Sequence, residues 1–362
     1  MNAVPYAMRY RRLLTPEIVA YLASIHELKG RQTLFVEGRR EMLTELVDVA
    51  RIQSTEASNR IEGIVTTSDR VKQLALDKTT PRNRDEWEIA GYRDVLATIH
   101  ENHDHIPVRP NVILQLHRDL CMRGGASVGG RFKSEDNAIT ETRPDGTEIV
   151  RFRPVPAWET REAMDAVCGG INDALGNPEL DPLLLVPLFV LDFLCIHPFS
   201  DGNGRMSRLL TLLLLYRSGH VVGKYVSVEK LIADSKESYY DALKASSAGW
   251  HKGKNDDLPF VRYMLGVVAA AYREFSSRVE ILLAEKMAKP DRVREIVRNA
   301  SGRLTKAEIM ELCPNISQKT VERALHELLA NGDVVKIGGR RYASYIWNRE
   351  KDAAGGAAPR AR

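Results

Sequence analysis

Residues 197–208 read HPFSDGNGRMSR and lie between two apolar runs of the sequence. Gly202, Asn203 and Gly204 predict a tight turn whose backbone N–H groups point outward just before a helix begins. Such free amides, together with the positive end of the helix dipole, bind anions. Arg205 and Arg208 are three residues apart, so both guanidiniums are predicted to reach one anion from the first helical turn. The segment therefore predicts a polyphosphate site.

Two residues of the same segment add chemistry. Asp201 would repel a phosphate unless a cation came between them, so it predicts a divalent ion, most simply Mg²⁺. His197 is predicted to be a general base that takes the proton of an incoming hydroxyl group. Taken singly, each residue has a plain structural use, such as a helix cap, a surface turn or a solvated arginine. Phe199 is predicted to be a core anchor. Only the combination indicates a site.

Composition limits the class of protein. The chain has 362 residues, 44% of them hydrophobic, which predicts two or three soluble domains. With 52 basic and 48 acidic residues, no overall field favours nucleic acid or membrane. The four cysteines are widely spaced, which predicts free thiols in a reducing compartment. No signal peptide is expected, and the longest apolar run, 183–196, is short for a membrane span. We expect a cytoplasmic protein.

The fold class is predicted to be mainly α. Helical patterns cover residues 15–30, 40–61, 86–100, 112–122, 182–196, 205–219, 235–244 and 258–287. Residues 124–156 differ, because β-branched residues surround a Pro-Asp-Gly turn at 144–146, and they predict a β-hairpin flap. Its basic residues Arg143, Arg151 and Arg153 are by default a solvated face. The long helix 258–287 is predicted either to pair between two chains as a homodimer or to be core.

The last part of the chain has its own pattern. After Lys289 and Pro290, helices are predicted at 291–299, 305–312 and 317–330, followed by strands at 334–337 and 340–346. Thr305 and Glu308 form a capping box. This order resembles a winged helix-turn-helix domain, followed by a disordered tail at 349–362. DNA binding and protein docking are equally open as its role. The basic and polar candidates for that contact are Gln318, Lys319, Thr320, Arg323, Lys336, Arg340 and Arg341.

Residues 197–208 resemble the Fic family motif H-x-F-x-[D/E]-G-N-G-R-x-x-R and match its eight specified positions. The resemblance implies a Fic-type helical core that transfers AMP from ATP, with Mg²⁺, to a Ser, Thr or Tyr hydroxyl of a protein. It implies His197 as general base and Asp201 as Mg²⁺ ligand. It also implies a phosphate cradle formed by Asn203 and the amides of Gly202 and Gly204, with Arg205 and Arg208 holding the phosphate tail. In the family, the flap aligns a target segment by strand addition, for which Asn137, Ile139, Ile149 and Arg151 are the candidates here.

Two further expectations follow from the resemblance. Tyr239 and Tyr240, in a YYxAL stretch, are candidates for contact with the adenine, although simple helix packing explains either tyrosine equally well. Ser58, Glu62 and Gly63, in SNRIEG, resemble the family's inhibitory motif [S/T]-x-x-x-E-[G/N]. A carboxylate in the last turn of a helix needs a cation, because the helix dipole disfavours it there. The family's partner for it is Arg208, which implies an autoinhibited enzyme.

These patterns predict four regions and leave alternatives open. The regions are an N-terminal helical region with the inhibitory motif (1–105), a Fic core (106–287), a winged-helix domain (288–348) and the tail (349–362). Glu62 could instead be a solvated surface residue, or could position water to remove AMP. The site could transfer another phosphate-containing group. The whole protein could also be a DNA-binding regulator whose site only senses nucleotide.

Overall fold

A computed structural model describes residues 4–38, 43–123, 126–127, 129–142, 146–286, 289–300, 303–312, 316–339 and 343–349. The chain divides into two compact units, Met1–Ser276 and Ser277–Arg362, and the division falls within the long helix α12. The predicted boundary near residue 288 lies after the end of α12 and stays a prediction. The predicted boundary at residues 105 and 106 does not coincide with a division of the fold and stays a prediction.

The first unit is almost entirely helical. Its helices are α1 (Tyr6–Leu13), α2 (Pro16–Gly38), α3 (Thr44–Ile61), α4 (Ser68–Ala75), α5 (Arg84–Asn102), α6 (Pro110–Leu120), α7 (Thr160–Leu175), α8 (Pro182–Ile196), α9 (Asn203–Arg217), α10 (Val228–Asp234), α11 (Lys236–Ser247) and α12 (Leu258–Lys286). Short 3₁₀ turns occupy His103–His105, Ala157–Glu159, Val221–Lys224 and Trp250–Lys252. None of the helices in the described ranges is long and apolar enough to cross a membrane.

The only sheets in the described part of this unit are two small antiparallel pairs. β1 (Met122–Arg123) pairs with β2 (Ala126–Ser127), and β3 (Ile139–Thr142) pairs with β4 (Glu148–Phe152). The β3–β4 hairpin is the predicted flap. Residues 143–145, which carry most of the predicted turn, lie outside the described residues. No further strand pairs with β3 or β4 in the described ranges, so both outer edges are available.

Helix α8 is the centre of the core. Asp181 caps its N-terminus, because its side chain accepts the Leu183 N–H at 2.9 Å, and Pro182 occupies the first turn. Every residue from Leu183 to Ile196 is buried. Such a helix, apolar on all sides, can exist only when it is surrounded by others. It packs against α7 and α9. The α8–α9 pair places residues 197–202 between two rigid, buried helices.

The start of α12 is also buried, with Phe260, Leu265 and Tyr272 in the core. This burial agrees with the core alternative for the first part of that helix.

After the end of α12, the described residues of the second unit form three short helices and three strands. They are α13 (Lys289–Asn299), β5 (Leu304–Thr305), α14 (Lys306–Leu312), α15 (Gln318–Ala330), β6 (Val334–Ile337) and β7 (Ser344–Trp347), with the antiparallel sheet order β5-β7-β6. Its core joins the three helices to β6 through Val293, Ile309, Leu325 and Val334. The capping box forms, since Glu308 accepts the Thr305 N–H at 2.7 Å. The three helices and the strands β6 and β7 follow the predicted order, and the winged-helix assignment stays a prediction. Arg340 and Arg341 lie outside the described residues.

Candidate active site

The loop between α8 and α9 is held by its own side chains. The amide of Asn203 accepts the Phe199 N–H at 2.9 Å and donates to the Phe199 carbonyl at 2.7 Å, so it closes the loop from inside. Gly202 has φ +80°, a left-handed conformation that glycine adopts without strain. Phe199 is buried, as expected. The Asn203 side chain is therefore a loop brace, which leaves its backbone N–H for the predicted phosphate cradle. That role of Asn203 stays a prediction.

His117 of α6 holds the same loop by stacking and hydrogen bonds. Its ring stacks on Phe199 with centroids 3.6 Å apart. Its Nε2–H donates to the Asp201 carbonyl at 3.0 Å, and its Nδ1 accepts the Gly130 N–H at 3.0 Å. Burial lowers the pKa of His117 to about 4, so the ring stays neutral and can accept and donate at once. The sequence offered no signal for this role, because one histidine on a helix face is usually only a packed side chain.

His197 follows α8 in a left-handed conformation, with φ +50°. A non-glycine residue there is uncommon and strained, and such strain concentrates at functional sites. The half-buried ring lines a cavity of about 580 Å³. Burial, and then the cations of Lys133 and Arg151, lower the pKa of His197 to about 4. The imidazole is therefore neutral near pH 7 and able to accept a proton.

Lys133 is a further residue that the sequence analysis missed. Its buried Nζ donates to the Ile196 carbonyl at 3.1 Å and to Asn137 Oδ1 at 2.9 Å. Asn137 in turn donates to the Phe199 carbonyl at 3.2 Å. Burial lowers the pKa of Lys133 to about 8. This bridge fixes the base of the flap to the loop that carries His197, which gives Asn137 a place in the site.

Arg205 differs from its prediction. Its guanidinium is turned into the protein and pairs with Glu88 of α5 at 3.0 Å, and both side chains are buried. It does not line the cavity. The two arginines of the motif therefore do not reach one anion, because the buried carboxylate of Glu88 holds Arg205 inside the protein.

Arg208 faces the cavity and is held by α3. Its Nε donates to Ser58 Oγ at 2.8 Å, and its Nη2 donates to the Ser58 carbonyl at 2.9 Å and to Glu62 Oε1 at 2.7 Å. Gly63 has φ +79° and ends α3, and the Ile64 N–H donates a hydrogen bond to the Asn59 carbonyl at 3.0 Å. That ending leaves Glu62 at the negative end of the helix dipole, where the Arg208 charge offsets the unfavourable field.

The Glu62 carboxylate lies against the first turn of α9. A Cβ on Gly204 would lie 2.2 Å from Glu62 Oε1, so only glycine lets the carboxylate approach this closely. Gly204 is in the first turn of α9, where the free backbone amides lie. Ser58, Glu62, Gly204 and Arg208 are thus brought together.

Helix α3 is anchored independently of that ion pair. Glu229 of α10 is completely buried and accepts hydrogen bonds from Ser54 Oγ at 2.7 Å and from Tyr92 OH at 2.8 Å. At the other end, Lys236 Nζ donates to the Ile61 carbonyl at 3.0 Å. Because Ser54, Ser58 and Glu62 are spaced by four, one face of α3 carries both the anchor and the pair with Arg208.

The two tyrosines line the cavity in different ways. Tyr239 is buried in an aromatic cluster with Phe260 and Tyr263. Tyr240 is half-buried beside it, with ring centroids 5.2 Å apart. Packing explains Tyr239. Tyr240 is the better placed of the two for an adenine ring, and that contact stays a prediction.

The flap forms another wall of the cavity. Ile139, Arg151 and Phe152 line it, whereas Ile149 is half-buried and does not. Glu141 of β3 pairs with Lys244 of α11 at 2.8 Å, which ties the flap to the opposite wall. The prediction that Arg151 belongs to a solvated face is corrected, because its side chain is half-buried in the cavity wall.

Asp201 is exposed next to the N-terminus of α9, where its Oδ1 accepts the Gly202 N–H at 2.7 Å. In the described part of the chain, no cluster of three or more His, Cys, Asp or Glu side chains could hold a metal by itself. Mg²⁺ commonly takes one or two carboxylates together with substrate phosphates. A single exposed acid beside an anion site fits an ion that arrives with a nucleotide.

The geometry defines a class: a mainly helical protein in which a neutral histidine lines a cavity and a carboxylate lies against the start of the following helix. Residues 107–215 match the model of the Fic/DOC family. The chain therefore contains a Fic domain, and its mainly helical fold is the Fic fold.

Relatives and solved structures agree with this assignment. The chain is 38% identical over 205 residues to a protein adenylyltransferase Fic of Culex quinquefasciatus, covering 55% of this chain and 36% of that protein. It is 27% identical over 170 residues to protein adenylyltransferase fic-1 of Caenorhabditis elegans, covering 46% and 28%. It thus spans only about a third of the length of these relatives. A Fic family protein from Desulfovibrio desulfuricans aligns with 25% identity and a TM-score of 0.60, over 96% of this chain and 98% of that one. Residues 134–508 of C. elegans Fic-1, 21% identical with a TM-score of 0.52 over 72% of each chain, share the fold.

Proposed function

We propose that the protein is an adenylyltransferase that moves AMP from ATP to a hydroxyl side chain of a protein, and that Glu62 restrains it. One observation carries the proposal: the Glu62 carboxylate forms an ion pair with Arg208 and lies next to Gly204 at the start of α9. A phosphate group would need the same guanidinium and the same amides. The named activity of the relatives supports the chemistry at the level of the family.

The reaction is an in-line displacement at the α-phosphorus. The hydroxyl oxygen of the target forms a bond to that phosphorus, the bond to the β-phosphate oxygen breaks, and pyrophosphate leaves. His197 takes the hydroxyl proton at its free ring nitrogen. Fixed donors that stabilise phosphate charge supply most of the acceleration in such transfers. Here those donors are the backbone amides at the start of α9 and the Arg208 guanidinium.

Asp201 is the residue proposed to hold Mg²⁺. When bound with the nucleotide, the ion neutralises phosphate charge. The open edges of the flap would pair with an extended segment of the target, which brings its hydroxyl toward His197.

Inhibition follows from competition for one cation. While Arg208 is held by Ser58 and Glu62, it cannot hold the terminal phosphate, and ATP would bind misaligned. The buried anchor of Ser54 on Glu229 keeps α3 in place, so the inhibited arrangement is the resting one. Because Glu62 is only partly buried, the pair can open without unfolding the helix.

Transfer of α-labelled ATP tests the proposal. Wild type, Glu62→Gly and Glu62→Gly/His197→Ala are compared with Mg²⁺, and label is measured on the protein itself and on a lysate. We expect label with Glu62→Gly alone. Absence of label in all three folded proteins, with γ-labelled ATP and CTP also inert, would refute the transfer activity. Label from another nucleotide alone would favour the second candidate, transfer of a different phosphate-containing group.

A regulatory role through the second unit is a separate candidate. Lys319 and Arg323 are exposed on α15 at a spacing of four, and Lys336 is exposed on β6. A winged helix binds DNA with such a helix in the major groove and a basic wing on phosphate. The full chain is titrated with mixed-sequence duplex at two salt concentrations, next to Lys319→Gln/Arg323→Gln. Binding that weakens with salt and with the substitutions supports DNA contact, and no binding leaves protein docking.

A further inference from the structure

Three cations line the cavity, and two of them already have an anion. Arg208 is held by Glu62 at 2.7 Å, and Lys244 is held by Glu141 at 2.8 Å. Arg151 of β4 is the third. It forms no ion pair with any carboxylate in the described part of the chain. Its Nε is buried and has no hydrogen-bond partner. A buried guanidinium nitrogen without an acceptor costs free energy, and a bound ion or ligand is one way to supply the acceptor. Arg205 also has two such nitrogens, Nε and Nη1, but it does not line the cavity.

Arg151 also lies close to the reacting groups. Its charge acts on His197 and on Tyr240, in both cases after the larger effect of burial. The cavity therefore presents a cation from the flap next to the histidine and the half-buried tyrosine. The sequence motif implied two arginines for the phosphate tail, but Arg205 is paired with Glu88 inside the protein. The cavity is left with one motif arginine and one flap arginine.

We propose that Arg151 binds the phosphate groups of the nucleotide from the flap, in the role that the motif implied for Arg205. The proposal rests on the proposed adenylyltransfer and names the second cation of its phosphate site. A guanidinium offers several N–H donors in one plane, which suits two phosphate oxygens. Arg151 has no carboxylate partner among the described residues, whereas Glu62 holds Arg208. The inhibited protein therefore still has one guanidinium available to bind a phosphate. The flap would then hold both substrates, the target by its strand edge and the nucleotide by Arg151.

Nucleotide binding tests this without relying on transfer. Calorimetry is run on full-length Glu62→Gly/His197→Ala, which frees Arg208 and lacks the proposed base, and on the same protein with Arg151→Gln. We expect affinity for ATP and ADP to fall about tenfold and affinity for adenosine to stay the same, because only the phosphates lose a charged partner. Arg151→Lys should recover part of the loss. Arg153→Gln is the matched control, since Arg153 is an exposed neighbour that does not line the cavity.

The outcomes separate the two proposals. If the parent protein binds no ATP, both are wrong. If it binds ATP and Arg151→Gln leaves that affinity unchanged, the role of Arg151 is wrong and the proposed function stands. An equal loss for adenosine and ATP would show that the substitution only deforms the cavity, which also overturns the inference. Labelling is compared separately between Glu62→Gly and Glu62→Gly/Arg151→Gln, which keep His197. Unchanged ATP binding with slower labelling by Glu62→Gly/Arg151→Gln would overturn the phosphate role and assign Arg151 to an acidic group of the target instead.

Discussion

Arg205 and Arg208 stand three residues apart on α9, and each pairs with a carboxylate from the N-terminal helices, yet the two pairs differ in their access to solvent. The side chains of Arg205 and Glu88 are 1% and 3% exposed. Those of Arg208 and Glu62 are 3% and 32% exposed. A fully buried pair cannot separate without leaving a charge in the interior, whereas a pair with one partner open to a cavity can exchange it. The first pair is therefore structural, and the second is the pair that the proposed inhibition would release.

The same division runs through residues 197–208. Phe199, Asn203 and Arg205 point inward and brace the loop. His197, Gly204 and Arg208 line the cavity. Some residues of this one motif therefore support the loop, and others line the cavity.

The largest expected effect is on stability, from breaking the buried pair. Glu88→Ala leaves Arg205 without a counter-ion in the described structure, and losing one partner of a buried pair typically costs about 3–5 kcal/mol. Glu62→Ala should cost about 1 kcal/mol or less, because its carboxylate is partly solvated and Ser58 still holds Arg208. Urea unfolding of both variants measures the free energies. Equal losses would contradict the division into a structural pair and a releasable pair.

A smaller loss of stability is expected inside the loop. Asn203→Ala removes both hydrogen bonds to Phe199 and leaves the buried Phe199 N–H unpaired, which costs about 1–3 kcal/mol, while the Phe199 carbonyl keeps the bond from Asn137. Asp201→Ala, on the exposed side of the same turn, should change stability by less than about 1 kcal/mol. Both should lose transfer in the Glu62→Gly background. Thermal unfolding distinguishes them, and the prediction is wrong if Asp201→Ala unfolds as readily as Asn203→Ala.

The smallest effect is expected near neutral pH. Because the pKa of His197 is lowered to about 4, its basic form dominates above about pH 5, and protonation removes it only as the pH falls through 4. Glu62 is among the groups that raise this pKa, so Glu62→Gly moves it further down. The kcat/KM of Glu62→Gly should be flat from about pH 6 to 8. A rise centred near pH 6.5 would show a histidine with an ordinary pKa and would contradict this environment.

The sequence predicted what depends on local pattern. The helices, the flap, the capping box at Thr305 and the coming together of Glu62 and Arg208 follow from periodicity, turn residues and motif resemblance. It did not predict which way Arg205 points, because two arginines three apart look alike until the partner helix α5 brings Glu88 to one of them. The roles of His117, Lys133 and Arg151 also depend on contacts between distant segments. Their neighbours exist only once the helices are packed.

The most direct test of the account is a double-mutant cycle on Glu62 and Arg208, measured as initial rates of α-labelled AMP transfer by wild type, Glu62→Gly, Arg208→Gln and the double variant. The account predicts that Glu62→Gly raises the rate about 100-fold when Arg208 is present, the scale of one well-placed donor in the transition state. It predicts a change of less than about twofold when Arg208 is absent. An equal rise in both backgrounds would show that Glu62 restrains the protein by another route and would contradict the competition for Arg208.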